Sequence, residues 1–200
     1  MRRDATRFPP PGRLVDVGGR RLHLHCVGEG TPTVILEAGG TSGILEYLDL
    51  QDAVAGVTRV CAYDRAGMGW SDDAPHALDA ASLATDLEAL LAAADVPGPY
   101  VVVAGSQARL TAELFARRHP DAVVGLLLLD ALHSELLAAP SMDAGARALH
   151  RKATLAELLA HVGLHGLAST YDLDRHPEPR RGEARALKYH PRPWRRCGPW

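Results

Sequence analysis

Apolar residues in this chain recur with two spacings, every second position and every third to fourth, and the two alternate along much of its length. In RLVDVGGRRLHLHCVGEG, apolar and polar positions alternate on either side of Gly18 and Gly19, which predicts a β-hairpin. His23 and His25 fall on one face of its second strand; with no third ligand nearby they read as solvent-facing. TPTVILEAGG and TRVCAYDRAGMGWSD are short apolar runs ending in glycines, the pattern of strands buried on both faces of a parallel sheet. Between Ser82 and Ala94 the spacing becomes helical, with Leu83, Leu87, Leu90 and Leu91 on one face and Asp79 or Ser82 as N-cap. Pro97, Gly98 and Pro99 end that helix and lead into the strand YVVV. A second helix is predicted from about Gln107 to His119, with Leu110, Leu114 and Phe115 inward and Pro120 beyond its end. AVVGLLLLDALH reads as another buried strand.

Strands alternating with helices imply right-handed crossovers and an α/β fold, a mostly parallel sheet flanked by helices. Past His133 the pattern changes. Leu155, Leu158, Leu159 and Val162 form a helical stripe, and from Tyr171 onward Pro, Arg and Trp dominate without a strand-like run. There are no internal repeats.

Composition narrows the function classes. The chain has 200 residues, 46% of them apolar, enough for one domain with a substantial core. A formal charge of -2 gives no electrostatic footprint for nucleic acid. The charge is uneven: eight Arg and Lys stand against Glu178 and Glu183 in residues 175–200, so this tail is strongly basic and the remainder acidic. Cys26, Cys61 and Cys197 are odd in number and lack metal-binding spacing, which argues against a disulfide framework and a zinc site; Cys26 and Cys61 read as buried thiols. No apolar stretch is long enough to span a membrane and no secretory leader is recognisable, so the expected location is the cytoplasm. Neither GxGxxG nor GxxxxGK[ST] follows a strand, which weakens a nucleotide-binding reading, and no cofactor or metal is expected.

The sharpest chemical signal is Ser106, placed where VVVAGSQARLTAELFA passes from strand to helix. Such a turn lifts a hydroxyl above the sheet and aims the next backbone N–H, with the helix N-terminus, at a developing oxyanion. It needs small residues two before and two after the serine, and here these are Ala104 and Ala108 rather than glycine. In this order PPPGRLVDVGGRRLHLHC, LEAGG, YDRAGMGWSD, the Ser106 turn and LLLLDALH resemble the N-terminal part of an α/β-hydrolase, over roughly residues 8–167.

That resemblance implies an α/β-hydrolase fold with an N-terminal β-hairpin, incomplete at the C-terminus. Its implied parts are an arm over 1–12, a core over 13–135, and a partial helical cap with basic tail over 136–200. It implies Ser106 as nucleophile, with an oxyanion hole from the N–H groups of Gln107 and Gly40, Thr41 being the next choice. Asp64, Arg65 and Trp70 would be structural. The family's acid and histidine follow later strands. Within this chain Asp130 is the substitute acid, since some relatives take their acid from that position. His133 is the best-placed of the histidines for a substitute base; the favoured alternative is that it has no catalytic role, as in relatives that carry a histidine there without using it. His161 and His165 fall on the cap-like helix and His119 at a helix C-terminus. Arg109 stands where the family usually has glycine. The implied activity is hydrolysis of small carboxylic esters or related acyl compounds through an acyl-enzyme; the alternative is a catalytically inactive remnant of the same fold. A truncated sheet would expose an edge strand and favour self-association. The Pro-rich start resembles sequence that follows an N-terminal membrane segment in some relatives, which makes membrane anchoring or export the alternative to the cytoplasm.

Overall fold

The computed structural model describes residues 9–40 and 42–131, and Pro10–Ala131 form a compact unit. Its six strands are β1 (Arg13–Asp16), β2 (Arg21–Val27), β3 (Thr33–Glu37), β4 (Val60–Asp64), β5 (Tyr100–Gly105) and β6 (Val123–Leu129). Its α-helices are α1 (Leu48–Ala55), α2 (Ala80–Ala93) and α3 (Ala108–Arg118). The sheet runs β1-β2-β4-β3-β5-β6; β1, β2 and β4 are antiparallel neighbours in turn, and β4, β3, β5 and β6 are parallel.

The hairpin forms where expected, because Gly18 and Gly19 both take positive φ and Asp16 Oδ1 accepts from both of their N–H groups. The central parallel strands β3, β4 and β5 are largely apolar because their alternate residues enter two different cores. Ile35, Cys61, Tyr63, Val102 and Ala104 face the core built by α2 and α3, with Leu83, Leu87, Leu90, Leu91 and Phe115. Leu36, Val60, Ala62 and Val103 face the other side, against Ile44 and Leu48. Each fully buried leucine or phenylalanine here is worth about 1.5–3 kcal/mol relative to exposure. Helix α2 begins in a capping box: Asp79 accepts from Ser82 N–H, and Ser82 Oγ accepts from Asp79 N–H.

Several expectations change in the folded chain. His23 is fully buried and His25 half-buried, because β2 lies between β1 and β4 and its histidine face is covered by α1 and by the segment after β4. Period two placed both histidines on one face correctly, but that face is interior. Cys26 and Cys61 are not separate buried thiols. The β2–β4 register puts them opposite one another, and they form a disulfide whose Cys26 side is exposed. Helix α1 has no counterpart in the sequence reading; it turns only Leu48 and Gln51 fully inward and lacks a side-chain N-cap, so its periodic signal is faint. In α3 the buried stripe is Ala108, Thr111, Ala112 and Phe115, while Leu110 and Leu114 are only partly covered. Finally, β6 is an edge strand of the described sheet, with β5 as its sole neighbour, and it leaves Val124 60% and Leu127 52% exposed. The cap-like segment, with His161 and His165, and the basic tail lie outside the described residues.

Candidate active site at the strand-to-helix turn

Ser106 joins β5 to α3 with φ +52, a left-handed conformation that a serine adopts only where its surroundings enforce it. The enforcement is visible on three sides. Ser106 N–H donates to Leu129 O at 2.9 Å, which ties the turn to the end of β6. The loop after β3 presses against it: a Cβ on Gly39 would lie 2.4 Å from Gly105 O and 2.9 Å from Ser106 Cβ, so only glycine fits there. On the third side, the space a Gly105 side chain would fill is occupied by the Tyr47 hydroxyl. Ala104 and Ala108, which replace the usual glycines, are both buried in the α2–α3 core, so their methyls fit where strand and helix converge.

Gln107 caps α3, and its side-chain amide lies beside Gly40. Gly40 has φ +54 and its carbonyl accepts from Arg65 Nη2. Among the described residues, the N–H groups of Gln107 and Gly40 donate to no backbone carbonyl. Thr41 lies outside the described residues. Asp130 follows β6 on the same carboxyl edge as Ser106, exposed and with φ +45. His133 lies outside the described residues.

Asp64, at the end of β4, anchors the loops around this edge. Its carboxylate accepts from Ile44 N–H at 2.9 Å and Trp70 N–H at 3.2 Å, and lies 2.7 Å from His23 Nδ1. The other His23 ring nitrogen meets Pro11 O, so one imidazole ties the N-terminal arm to the site's scaffold. Trp70 packs edge-on against His23, with ring centroids 4.9 Å apart. Arg109 turns back along α3 to Glu113, and His119 caps the helix C-terminus within 3.1 Å of Glu88. Among the described residues no cluster of three or more His, Cys, Asp or Glu could hold a metal.

Two residues near the turn were not singled out from sequence. Glu37, the last residue of β3, is fully buried, and neither carboxylate oxygen makes a hydrogen bond of good geometry among the described residues. Burial, opposed by Arg65 and by the nearby Tyr63 and Thr111 hydroxyls, pushes its carboxyl from the ordinary 4.5 up to about 7. The one available signal was an acid closing an otherwise apolar strand, VILE. Tyr47 is half-buried beside Gly105; burial, then the charges of Glu46 and Glu37, push its hydroxyl upward against the opposing effect of Arg65.

The sequence model of the alpha/beta hydrolase fold matches residues 32–163. An uncharacterized protein of Schizosaccharomyces pombe is 32% identical over 151 residues, covering 60% of this chain and 28% of that protein. The uncharacterized protein YqjL of Bacillus subtilis is 31% identical over 115 residues, covering 57% of this chain and 46% of that protein. The chain thus spans less than half the length of these curated relatives. Among solved structures, a thermophilic esterase from Thermogutta terrifontis superposes with a TM-score of 0.63 at 20% identity, over 91% of this chain and 68% of that one. With a matching sequence model across most of its length and the same fold in space, the chain belongs to the α/β hydrolase fold family.

Proposed function

We propose that this chain carries the nucleophile of a serine hydrolase that acts on small carboxylic esters or related acyl compounds. The observation that carries the reading is the left-handed Ser106 at the β5–α3 turn, held there by Gly39 and the Leu129 carbonyl. Strain of this kind costs about 1–3 kcal/mol and persists where the surroundings over-determine it. In the proposed reaction Ser106 Oγ bonds to the acyl carbon as its proton passes to a base. The oxyanion accepts from the N–H groups of Gln107 and Gly40, helped by the N-terminus of α3. Collapse expels the alcohol, which takes the proton, and water then releases the acid from the acyl-enzyme. Asp130 is the proposed acid by its place on the sheet's carboxyl edge, and His133, three residues on, the proposed base.

The test is labelling of the 200-residue chain with a fluorophosphonate probe. Labelling that disappears in Ser106→Ala supports the assignment; labelling that persists in Ser106→Ala refutes it. The second reading is an inactive member of the fold, motivated by Ala104 and Ala108 standing where glycines are usual on either side of Ser106. It expects a folded chain with neither labelling nor turnover of p-nitrophenyl butyrate.

No described helix is long and apolar enough to cross a membrane. The Cys26–Cys61 bridge favours an oxidising compartment over the cytoplasm first expected. The exposed apolar residues of β6 are the proposed surface for self-association.

A further inference from the structure

We propose that Cys26 is a thiol-modification site: a small anionic thiol enters the cleft beside it and opens the Cys26–Cys61 bridge, leaving a mixed disulfide on Cys26. This goes beyond the Ser106 reading and does not depend on it. The two halves of the bridge are unequal, because Cys26 is exposed near the end of β2 while Cys61 is fully buried in β4. Cys61 packs into the core with Ile35, Tyr63 and Val102. Cys26 instead lines a cleft of about 430 Å³, within the roughly 300–1,000 Å³ of small-molecule sites. Arg13 of β1, Arg59 just before β4 and Asp95 after α2 line the same cleft. Arg13 donates through Nη2 to Ala94 O, which fixes one of the cations in the wall. Two guanidinium groups against one carboxylate leave the lining net positive. The bridge lies away from the Ser106 turn: Cys61 is in register with Ile35 and Ile35 with Val102, four residues before Ser106, or about 13 Å along the strands.

Thiol–disulfide exchange needs the attacking thiolate in contact with a sulfur, so access decides which sulfur is attacked. Burial closes off Cys61, which leaves Cys26 Sγ. The incoming thiolate forms a bond to Cys26 Sγ, the Cys26–Cys61 bond breaks, and its electron pair leaves on Cys61 Sγ, which takes a proton from water. The small thiol is the reductant: its sulfur is oxidised to the mixed disulfide as Cys61 is reduced to a thiol. Arg13 and Arg59 favour an attacker that carries carboxylates over one that carries only an ammonium group, and Asp95 opposes that preference. The bridge ties the β1–β2 hairpin to the parallel strands, because β2 pairs with β4. Modification therefore acts on the junction of hairpin and parallel strands rather than on Ser106.

The experiment exposes the oxidised 200-residue chain, carrying Cys197→Ser so that no third thiol competes, to glutathione as the anionic probe and to cysteamine as the cationic one. Samples are quenched in acid, alkylated in denaturant and mapped by peptide mass spectrometry. Glutathione is expected on Cys26, with Cys61 recovered as the alkylated thiol. Adducts on Cys61, or shared equally between the two cysteines, overturn the proposal. So does a bridge that stays intact in the folded chain while it opens in the urea-unfolded one. The rate with glutathione over that with cysteamine, each per thiolate, is divided by the same ratio for the urea-unfolded chain, and the quotient is expected to exceed one. Arg59→Ala should lower it about fivefold, the effect of one unit-charge contact at about 4 Å in water. Asp95→Asn, at an exposed position with φ +52 that asparagine accepts, should raise it by a similar factor. A quotient of one or less, or one that Asp95→Asn leaves unchanged, overturns the choice of an anionic thiol even where Arg59→Ala fails to fold.

Discussion

Replacing Glu37 by Gln should change how stability depends on pH. The folded chain holds this carboxyl at about 7, against 4.5 for the ordinary group. Below 4.5 the carboxyl is protonated whether the chain is folded or not, and its contribution is fully present. Between 4.5 and 7 the unfolded chain releases the proton while the folded chain keeps it, so stability falls with rising pH. At about 1.4 kcal/mol per pH unit the whole loss is about 3 kcal/mol, complete above 7. Glutamine keeps the shape and loses the proton. Urea denaturation of wild type and Glu37→Gln at steps from pH 4.5 to 8 measures the difference, and histidines common to both cancel. Stability of wild type minus that of the variant should drop by about 3 kcal/mol across this range with unchanged m-values. A difference that stays flat, or rises with pH, would refute the assignment of a neutral buried Glu37.

Further substitutions examine the scaffold of the site. Gly39→Ala drives a methyl into Gly105 O and Ser106 Cβ, so it should cost about 1–3 kcal/mol in thermal or chemical denaturation and displace the Ser106 turn; unchanged stability would contradict the packing described. Cys26→Ser opens a bridge between residues 35 apart and should cost about 2–4 kcal/mol, read as a lower urea midpoint that reductant no longer shifts. Equal midpoints for wild type and variant under oxidising conditions would mean the bridge does not form. Leu87→Ala, at a fully buried position under the sheet, should cost about 2–5 kcal/mol by the same assay, and a loss below 1 kcal/mol would place Leu87 outside the core.

How far the chain could be read before folding differs from residue to residue. Ser106 was legible because strand and helix periodicities meet there, and periodicity is a local property. The hairpin glycines, the Asp79 cap and the leucine face of α2 were legible for the same reason: each depends on neighbours within a few residues. Tertiary structure alone decided the rest. Once the chain places β4 between β2 and β3, Cys61 lies opposite Cys26 and Asp64 meets His23, pairs 35 and 41 residues apart. Whether a strand face meets water or a helix is set by what packs on it, which turned His23 inward and left the apolar β6 at an edge of the described sheet. Glu37 shows the limit most clearly. Sequence places an acid at the end of an apolar strand, but the burial that raises its carboxyl, and the Arg65, Tyr63 and Thr111 groups that oppose the rise, come only after distant segments have assembled around β3.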